Sequence, residues 1–345
     1  MRIASSPYGV TAEGKNVTCF TLTNANGIQA RFLDYGCILT HLIVPDRNGT
    51  PTDVVLGYDD LASYEADGAA MGAFVGRYAN RIKDSAFTLN GTTFHLPPND
   101  GPNHLHGALG KRVFHGTVGN GCLRLTYSSP RGEDGMPGTV RFTVTYSLDD
   151  NNVLTMRYEA VSDADTVLNL TNHSYFNLAG HASGRVDSQL LQIAADTFLE
   201  SADDNCPTGQ ILPAAGAMDF RRLRPIGGEP VCEQMELVGG YDHCYILRPG
   251  AAPAVMAYCR ETGIALTVAT TQPGVQLYTG NYLEDIPGPG KGGVRYLRRG
   301  GFALETQHYP CSPNYPSFPS TVVRAGEIYR EATHFQVQVL DRMAE

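Results

Sequence analysis

The feature of this sequence that most constrains its fold is a two-residue alternation of apolar and polar side chains, which recurs along most of the chain. Residues 140–148 show it clearly, with Val, Phe, Val, Tyr and Leu separated by single polar residues. Successive side chains of a strand point to opposite faces, so the pattern predicts strands with one buried face. Helical periodicity is rare, and residues 59–67 are one of the few candidates for a short helix. So many strands cannot stay in one flat sheet, and we predict an all-β fold of two packed or strongly curved sheets.

The turn chemistry between the alternating segments supports this interpretation. Asn90-Gly91 lies between two such segments and suits the positive φ angles of a type I′ hairpin turn. In that register Phe87 faces Phe94 across the pair, so the turn and the packing agree. We see no internal repeat and no Pro/Ser-rich linker, and we expect residues 1–345 to form a single domain.

Charge and cysteine content narrow the class of protein. The formal net charge of −9 argues against binding to nucleic acid or to an acidic membrane surface, because both need clustered Lys and Arg. No segment approaches the roughly 18 apolar residues of a membrane helix, and the N-terminal residues lack the apolar core of a secretory signal. The eight cysteines contain no C-x-x-C pair and suit reduced core residues. We therefore expect a cytoplasmic protein.

One strand-like stretch, residues 167–178, places a histidine opposite buried leucines. Leu168 and Leu170 share one face, whereas the alternate positions are polar and lead to His173. A lone histidine beside a strand is more often structural than functional. We interpret the polar face as one that faces a ligand, to which other segments also deliver polar groups.

Two earlier segments carry polar residues that suit a binding site, although each has an ordinary alternative. The first contains Asn80 and Arg81, which form either a solvated turn or a pocket wall rich in hydrogen-bond donors. In the second, His104 and His106 are spaced to share one face, with Leu105 on the other. That spacing also matches a metal site, but no third or fourth ligand is close in sequence. A surface loop is an equal alternative.

Three later segments add further candidates. Asp242 follows two glycines, which is more often an ordinary turn than a site. Gln276 and Tyr278 share a polar strand face, where an aromatic ring and an amide would suit a sugar. Glu305 and Gln307 share the polar face of a strand with little other charge, and a glutamate in such a place is a candidate acid or base.

Together, and in this order, these segments resemble the aldose 1-epimerase (galactose mutarotase) family. The match runs from about residue 5 to the C-terminus, and its most specific parts are Asn-His-Ser-Tyr-Phe-Asn-Leu and Leu-Glu-Thr-Gln. The matching segments are residues 76–82, 103–107, 171–178, 241–243, 273–281 and 304–307. Three positions depart from the usual family pattern and leave substrate preference open: Ala108, Phe114 and Cys311.

The resemblance implies a large β-sandwich of the galactose mutarotase-like supersandwich type, with a sugar in an open cleft. It implies that Glu305 is the catalytic base and His173 the catalytic acid. It also assigns a set of residues to sugar binding, namely Asn80, Arg81, His106, Tyr175, Asp242 and Gln276. The implied partner is a small aldose such as D-glucose or D-galactose, bound by a monomer or a weak homodimer.

The implied reaction interconverts α and β anomers by opening and reclosing the sugar ring. One group takes the proton of the C1 hydroxyl while another protonates the ring oxygen. We expect a nearby carboxylate to raise the pKa of His173, and donors such as Arg81 or Gln276 to keep Glu305 ionised. The reaction needs neither a metal nor a cofactor, and the P-loop, H-E-x-x-H and G-x-S-x-G motifs are all missing from the sequence.

Three alternatives remain open at this point. A glycoside hydrolase would use Glu305 and Asp242 as a carboxylate pair. A non-catalytic sugar-binding module could share the same fold. A hexose-6-phosphate 1-epimerase would need a basic cluster for the phosphate, and the sequence offers only Arg77 and Arg81 together.

Overall fold

The computed structural model describes residues 2–341, and within this range the chain consists mainly of β-strands. The strands, numbered in chain order, are β1 (Arg2–Val10), β2 (Asn16–Thr23), β3 (Gln29–Leu33), β4 (Leu39–Pro45), β5 (Pro51–Asp53), β6 (Phe74–Val75), β7 (Arg81–Ile82), β8 (Ala86–Leu89), β9 (Thr92–His95), β10 (His104–Leu105), β11 (His115–Gly119), β12 (Cys122–Ser129), β13 (Val140–Leu148), β14 (Val153–Ser162), β15 (Thr166–Val167), β16 (Thr171–Asn172), β17 (Tyr175–Phe176), β18 (Leu190–Ile193), β19 (Ala195–Ser201), β20 (Pro207–Pro213), β21 (Arg224–Pro225), β22 (Asp242–Leu247), β23 (Val255–Tyr258), β24 (Ile264–Thr270), β25 (Gly274–Tyr278), β26 (Phe302–Gln307), β27 (Val322–Val323) and β28 (Ile328–Val339). The α-helices are α1 (Leu61–Ala66) and α2 (Glu233–Leu237).

Two large antiparallel sheets pack face to face and enclose the main core. One has nine strands in the order β11-β12-β13-β14-β28-β24-β23-β18-β21, and the other has six in the order β17-β26-β25-β22-β19-β20. Where they meet, the Thr306 hydroxyl of β26 lies 2.6 Å from that of Thr333 on β28. Phe302 and Leu304 point the same way and join the core between the sheets. The all-β prediction is therefore confirmed.

A five-stranded sheet in the order β1-β2-β3-β4-β5 and several two-stranded pairs complete the described fold. In the β8-β9 hairpin, Phe87 pairs with Phe94 and their ring centroids are 5.4 Å apart, as the turn sequence predicted. Helix α1 begins after Asp60, whose side chain accepts a hydrogen bond from the Ser63 N–H and caps the helix. Neither described helix has the length and apolar character needed to cross a bilayer.

The stretch at residues 167–178 is less regular than its alternation predicts. It forms three separate two-residue strands, β15, β16 and β17, each paired with a different partner. Leu168 and Leu170 are buried in the core as expected. Asn169 and Thr171, however, bond backbone carbonyls of neighbouring segments instead of facing a ligand. The prediction of a continuous ligand-facing polar side is therefore wrong, since only the end of the stretch, from His173 onward, reaches a cavity.

Candidate active site

The neighbouring strands β22, β25 and β26 place polar side chains in register on the sheet face that points away from the nine-stranded sheet. Gln276 on β25 lies directly opposite Glu305 on β26 and opposite Cys244 on β22. One row along, Tyr278 lies opposite Asp242. Because side chains two residues apart on a strand share a face, alternation in three strands assembles this polar surface.

A cavity of about 330 Å³ opens above this surface. It is lined by seven of the eight residues that the family resemblance assigned to catalysis or sugar binding, namely Asn80, Arg81, His106, His173, Tyr175, Asp242 and Glu305, and also by Tyr278. Gln276 does not line the cavity. It lies behind Asp242, where its Nε2 donates a 2.6 Å hydrogen bond to Asp242 Oδ1 and holds that carboxylate in place.

His173 and Glu305 form the chemical centre of this cavity. His173 Nε2 lies 3.5 Å from Glu305 Oε1, and both side chains are almost fully buried. The His173 ring packs against the Tyr175 ring at 4.8 Å between centroids, and the Tyr175 hydroxyl is fixed by a hydrogen bond to the Ala69 carbonyl. The His106 ring lies nearly perpendicular to the His173 ring, at 5.3 Å between centroids. The imidazole of His173 is thus packed by two neighbouring rings beside the carboxylate.

The pKa shifts of this pair run opposite to those expected from the sequence. Burial lowers the pKa of His173 to about 4, and the negative charge of Asp67 only partly opposes this. Burial also raises the pKa of Glu305 well above its usual value, with Asp242 adding to the effect and Arg81 opposing it. Desolvation penalises both charges more than their neighbours stabilise them. Burial at this site therefore favours a neutral imidazole and a neutral carboxylic acid.

His106 is held in one tautomer by the backbone beside it. Its Nδ1 accepts a 3.2 Å hydrogen bond from the Asn80 N–H, so in the neutral ring Nε2 carries the proton. Burial, followed by the charges of His173 and Arg81, lowers the pKa of His106 well below its usual value. His106 therefore offers a hydrogen-bond donor to whatever enters the cavity.

This tautomer also bears on metal binding. One ligand atom each from His106, His173 and Glu305 lies within 4.8 Å of the others, which is close enough to suggest a cation site. A ligating Nε2 would need the proton on Nδ1, where it would meet the Asn80 N–H. The donor set therefore fits a hydrogen-bonding role better than a metal.

The predicted shared face of His104 and His106 is wrong. His106 has a left-handed φ of 63°, which breaks the strand alternation after Leu105. As a result Leu105 and His106 both line the cavity, whereas His104 is buried elsewhere and its Nδ1 bonds the Pro97 carbonyl at 2.7 Å. The spacing alone could not reveal this turn in the backbone.

Arg81 supplies the positive charge of the cavity. Its Nε donates a 2.6 Å hydrogen bond to Asp100. Burial lowers the pKa of Arg81, but the negative charges of Asp242 and Asp100 outweigh burial and raise that pKa overall. Nη1 and Nη2 make no hydrogen bond to the residues described, and they are free for a ligand. Arg77 is not part of the site, because its guanidinium is buried against Ser129 and the carbonyls of a neighbouring loop. Of the two arginines in the sequence motif, only Arg81 therefore belongs to the site.

The rim of the cavity was not predicted. It includes Asn205, Tyr282, Leu283, Asp285, Ile286 and Pro287. Most of these lie in the irregular segment between β25 and β26, which has no alternation to reveal it. The Tyr278 hydroxyl, which was on the expected polar face, accepts a 3.3 Å hydrogen bond from the Tyr282 N–H and joins the rim to the sheet.

These features define the class of protein: a large β-sandwich that carries a buried imidazole–carboxyl pair in a polar, hydrogen-bonding cavity. Comparison with known proteins agrees. A model of the aldose 1-epimerase family matches residues 18–336. Galactose mutarotase from Mus musculus is 39% identical over 332 residues, which cover 94% of this chain and 95% of the relative. Aldose 1-epimerase from Escherichia coli (strain K12) is 34% identical over 335 residues, which cover 94% and 96%.

A solved structure agrees as well. The crystal structure of galactose 1-epimerase from Lactobacillus acidophilus NCFM matches with a TM-score of 0.86 and 27% identity, over 98% of this chain and 99% of the other. The chain belongs to the aldose 1-epimerase family and is an isomerase, and this membership supports mutarotase activity.

Proposed function

We propose that the protein interconverts the α and β anomers of a neutral aldose, with Glu305 as the base and His173 as the acid. The observation that carries this proposal is the 3.5 Å approach of two almost fully buried groups, an imidazole and a carboxyl, inside a polar cavity. An acid and a base must act on adjacent oxygens of one small molecule, and a well-placed group of this kind typically contributes about 10²–10⁴-fold to the rate.

The reaction begins with the ionised form of the pair. The Glu305 carboxylate takes the proton of the C1 hydroxyl while the His173 imidazolium donates one to the ring oxygen. The bond between C1 and the ring oxygen breaks and leaves a free aldehyde. Rotation about C1–C2 presents the other face of the aldehyde, and closure reverses both proton transfers.

The electrostatics of the cavity favour the opening step. Ring opening converts a carboxylate and an imidazolium into a carboxylic acid and a neutral imidazole. Burial stabilises that neutral combination, because it raises the pKa of Glu305 and lowers the pKa of His173. The base is therefore stronger than an ordinary glutamate and the acid stronger than an ordinary histidine, which lowers the free-energy cost of both transfers from the ionised pair.

The remaining polar groups suit a neutral polyol. The His106 Nε2–H and the free N–H groups of Arg81 would donate to sugar hydroxyls, and Asp242 would accept from them. Tyr175 offers a ring against the sugar face. Gln276 would act on the sugar by orienting Asp242.

Charge argues against a phosphorylated substrate. Arg81 is the one Lys or Arg side chain among the residues described that lines the cavity, which is also lined by the acids Asp242, Glu305 and Asp285. Arg77, the other half of the suspected basic pair, points away. A hexose 6-phosphate would bring a dianion into a cavity that already carries more acids than bases.

We further propose that residues 1–345 act as one domain, as a monomer or weak homodimer in the cytoplasm. The continuous family match and the eight free cysteines support this proposal.

The test is polarimetry with freshly dissolved α-D-galactose and α-D-glucose. We expect the protein to accelerate the approach to anomeric equilibrium over buffer alone. A rate equal to that of buffer would overturn the proposal and leave a sugar-binding module. Release of nitrophenol from a nitrophenyl galactoside would overturn it in favour of a hydrolase.

A further inference from the structure

Gln307 lies on the same face of β26 as Glu305 and is not among the residues that line the cavity. It is two positions further along the strand, so its Cβ lies roughly 6.6 Å from that of Glu305. Across the sheet its partner on β25 is Gly274. Gly274 has no side chain, and the Cys244 sulfur packs over it, 3.0 Å from where a Cβ would lie.

The Gln307 side chain is fully buried, and neither amide atom has a hydrogen-bond partner among the residues described. The surface around it is closed to solvent, because Cys244 on the same sheet face packs in an apolar cluster with Leu199, Tyr309 and Phe318. Buried amides in folded proteins are almost always paired, so an orphaned one requires an explanation.

The neighbouring pair of residues across β25 and β26 contains two more buried polar atoms without a hydrogen-bond partner among the residues described. Glu305 Oε2 is buried without a partner, although Oε1 of the same carboxyl faces His173. Gln276 Oε1, directly opposite on β25, is also unpartnered. A single water between these groups and the Gln307 amide would have about three polar partners, which is the usual number for an internal water.

We propose that Gln307 is a positioning residue for Glu305 and acts through one internal water. The Gln307 Nε2–H donates to the water, and the water donates to Glu305 Oε2 and to Gln276 Oε1. This arrangement fixes the carboxyl rotamer, so that Oε1 stays directed at His173 and the sugar. The inference rests on the proposed base role of Glu305.

The hydrogen bond to Oε2 has a consequence that a purely structural glutamine would not have. It stabilises the ionised carboxylate and so opposes the rise that burial imposes on the pKa of Glu305. Loss of the Gln307 amide should therefore raise that pKa further. It should also let the carboxyl rotate, which lowers the rate of proton transfer more than it lowers sugar affinity.

The experiment compares Gln307→Met with the wild-type protein in the mutarotation assay across a range of pH. Methionine keeps the volume and removes both hydrogen-bonding groups. We expect kcat to fall by about tenfold, the size of one lost hydrogen bond to a charged group, while KM changes little. The alkaline limb of the kcat/KM profile, where the proton of Glu305 is lost, should move to higher pH.

The matched control is Gln272→Met. Gln272 is also a buried glutamine, but its Nε2 bonds the Leu170 carbonyl and the Tyr329 hydroxyl away from the cavity. This variant should lose stability and keep the wild-type pH profile. Unchanged kcat and an unchanged alkaline limb in Gln307→Met, with an active wild-type protein, would overturn the inference alone. An inactive wild-type protein would overturn the proposed function instead.

A second measurement covers the case in which Gln307→Met does not fold. A crystal structure of the wild-type protein at atomic resolution should show a water within about 2.7–3.2 Å of both Gln307 Nε2 and Glu305 Oε2. A Glu305 Oε2 bonded only to another group, or a Gln307 amide without such a water, would overturn the inference.

Discussion

His173 and Glu305 hold one exchangeable proton between them in the reactive state. The ion pair and the neutral pair differ only in which group carries that proton, so the two groups titrate as a unit. Burial places the neutral pair lower in free energy than the ion pair. Sugar hydroxyls and the free N–H groups of Arg81 would then stabilise the carboxylate when substrate enters.

The pH dependence of kcat/KM follows from this pair. Below about pH 4, the pKa to which burial lowers His173, a second proton is added and Glu305 can no longer act as a base. Activity should therefore stay high through mildly acidic solution and fall only near pH 4. Polarimetric rates corrected for buffer catalysis would check this. An acid limb centred near 6.5, the value of an ordinary histidine, would contradict it.

His106 is expected to bind the sugar as a neutral donor. His106→Phe keeps a ring but leaves a sugar hydroxyl unpaired, which costs about 1–3 kcal/mol. We expect KM for α-D-galactose to rise by about tenfold, with a smaller change in kcat. The control is His104→Phe, which removes a bond to the Pro97 carbonyl and should lower stability without changing KM. Equal effects on KM at both positions would refute the assignment.

At the scale of elements, the segment between β25 and β26 is anchored far from the cavity it borders. The Lys291 ammonium is buried and bonds Asp53 at 2.5 Å, the Val55 carbonyl at 2.7 Å and the Thr40 carbonyl at 2.8 Å. The Tyr296 hydroxyl adds a 2.9 Å bond to the Gly57 carbonyl. These contacts fix both the segment and the rim residues that it carries.

Lys291→Met should therefore affect stability and substrate binding together. Removing one partner of a buried ion pair leaves Asp53 uncompensated and typically costs about 3–5 kcal/mol. We expect the free energy of unfolding to fall by about that amount and KM to rise as Leu283 and Ile286 lose their support. Urea unfolding and mutarotation kinetics would measure both. Lys15→Met, at an exposed pair with Glu13, is the control and should change neither.

The regular elements could be predicted because alternation fixes which side chains share a face. Gln276, Tyr278 and Glu305 were recognised in this way, and the register of β25 and β26 brings them together. The Phe87–Phe94 hairpin followed from its Asn-Gly turn for the same local reason. Short-range chemistry was sufficient wherever the backbone remained extended.

Prediction failed where the backbone left the extended state or where burial decided the chemistry. The left-handed conformation of His106 separates it from His104. The buried socket of Lys291 depends on carbonyls that lie more than two hundred residues away in sequence. The pKa shifts of His173 and Glu305 depend on desolvation, which the sequence does not display. Each of these features is a property of long-range packing.

At the scale of the whole molecule, several histidines are buried in their neutral form and make the fold sensitive to acid. His243 is the simplest case, because burial alone lowers its pKa to about 4. In the unfolded chain it binds a proton near pH 6.5, whereas the folded protein excludes that proton until about pH 4. Its contribution to stability is therefore present above pH 6.5 and is lost as the pH falls towards 4.

His243→Asn should remove this sensitivity. As the pH falls from 6.5 to 4, the wild-type protein should lose stability relative to the variant by up to about 1.4 kcal/mol per pH unit. Urea unfolding of both proteins at several pH values would measure the difference. A difference that does not change with pH would show that His243 is not buried as a neutral group.

The most direct test of the central claim is the mutarotation rate of Glu305→Gln and His173→Asn, measured by polarimetry on fresh α-D-galactose, with sugar binding followed by calorimetry. If these two groups move the protons, each variant should lose at least about 100-fold in kcat and still bind the sugar. A variant that binds galactose and turns it over at the wild-type rate would contradict the role assigned to that residue.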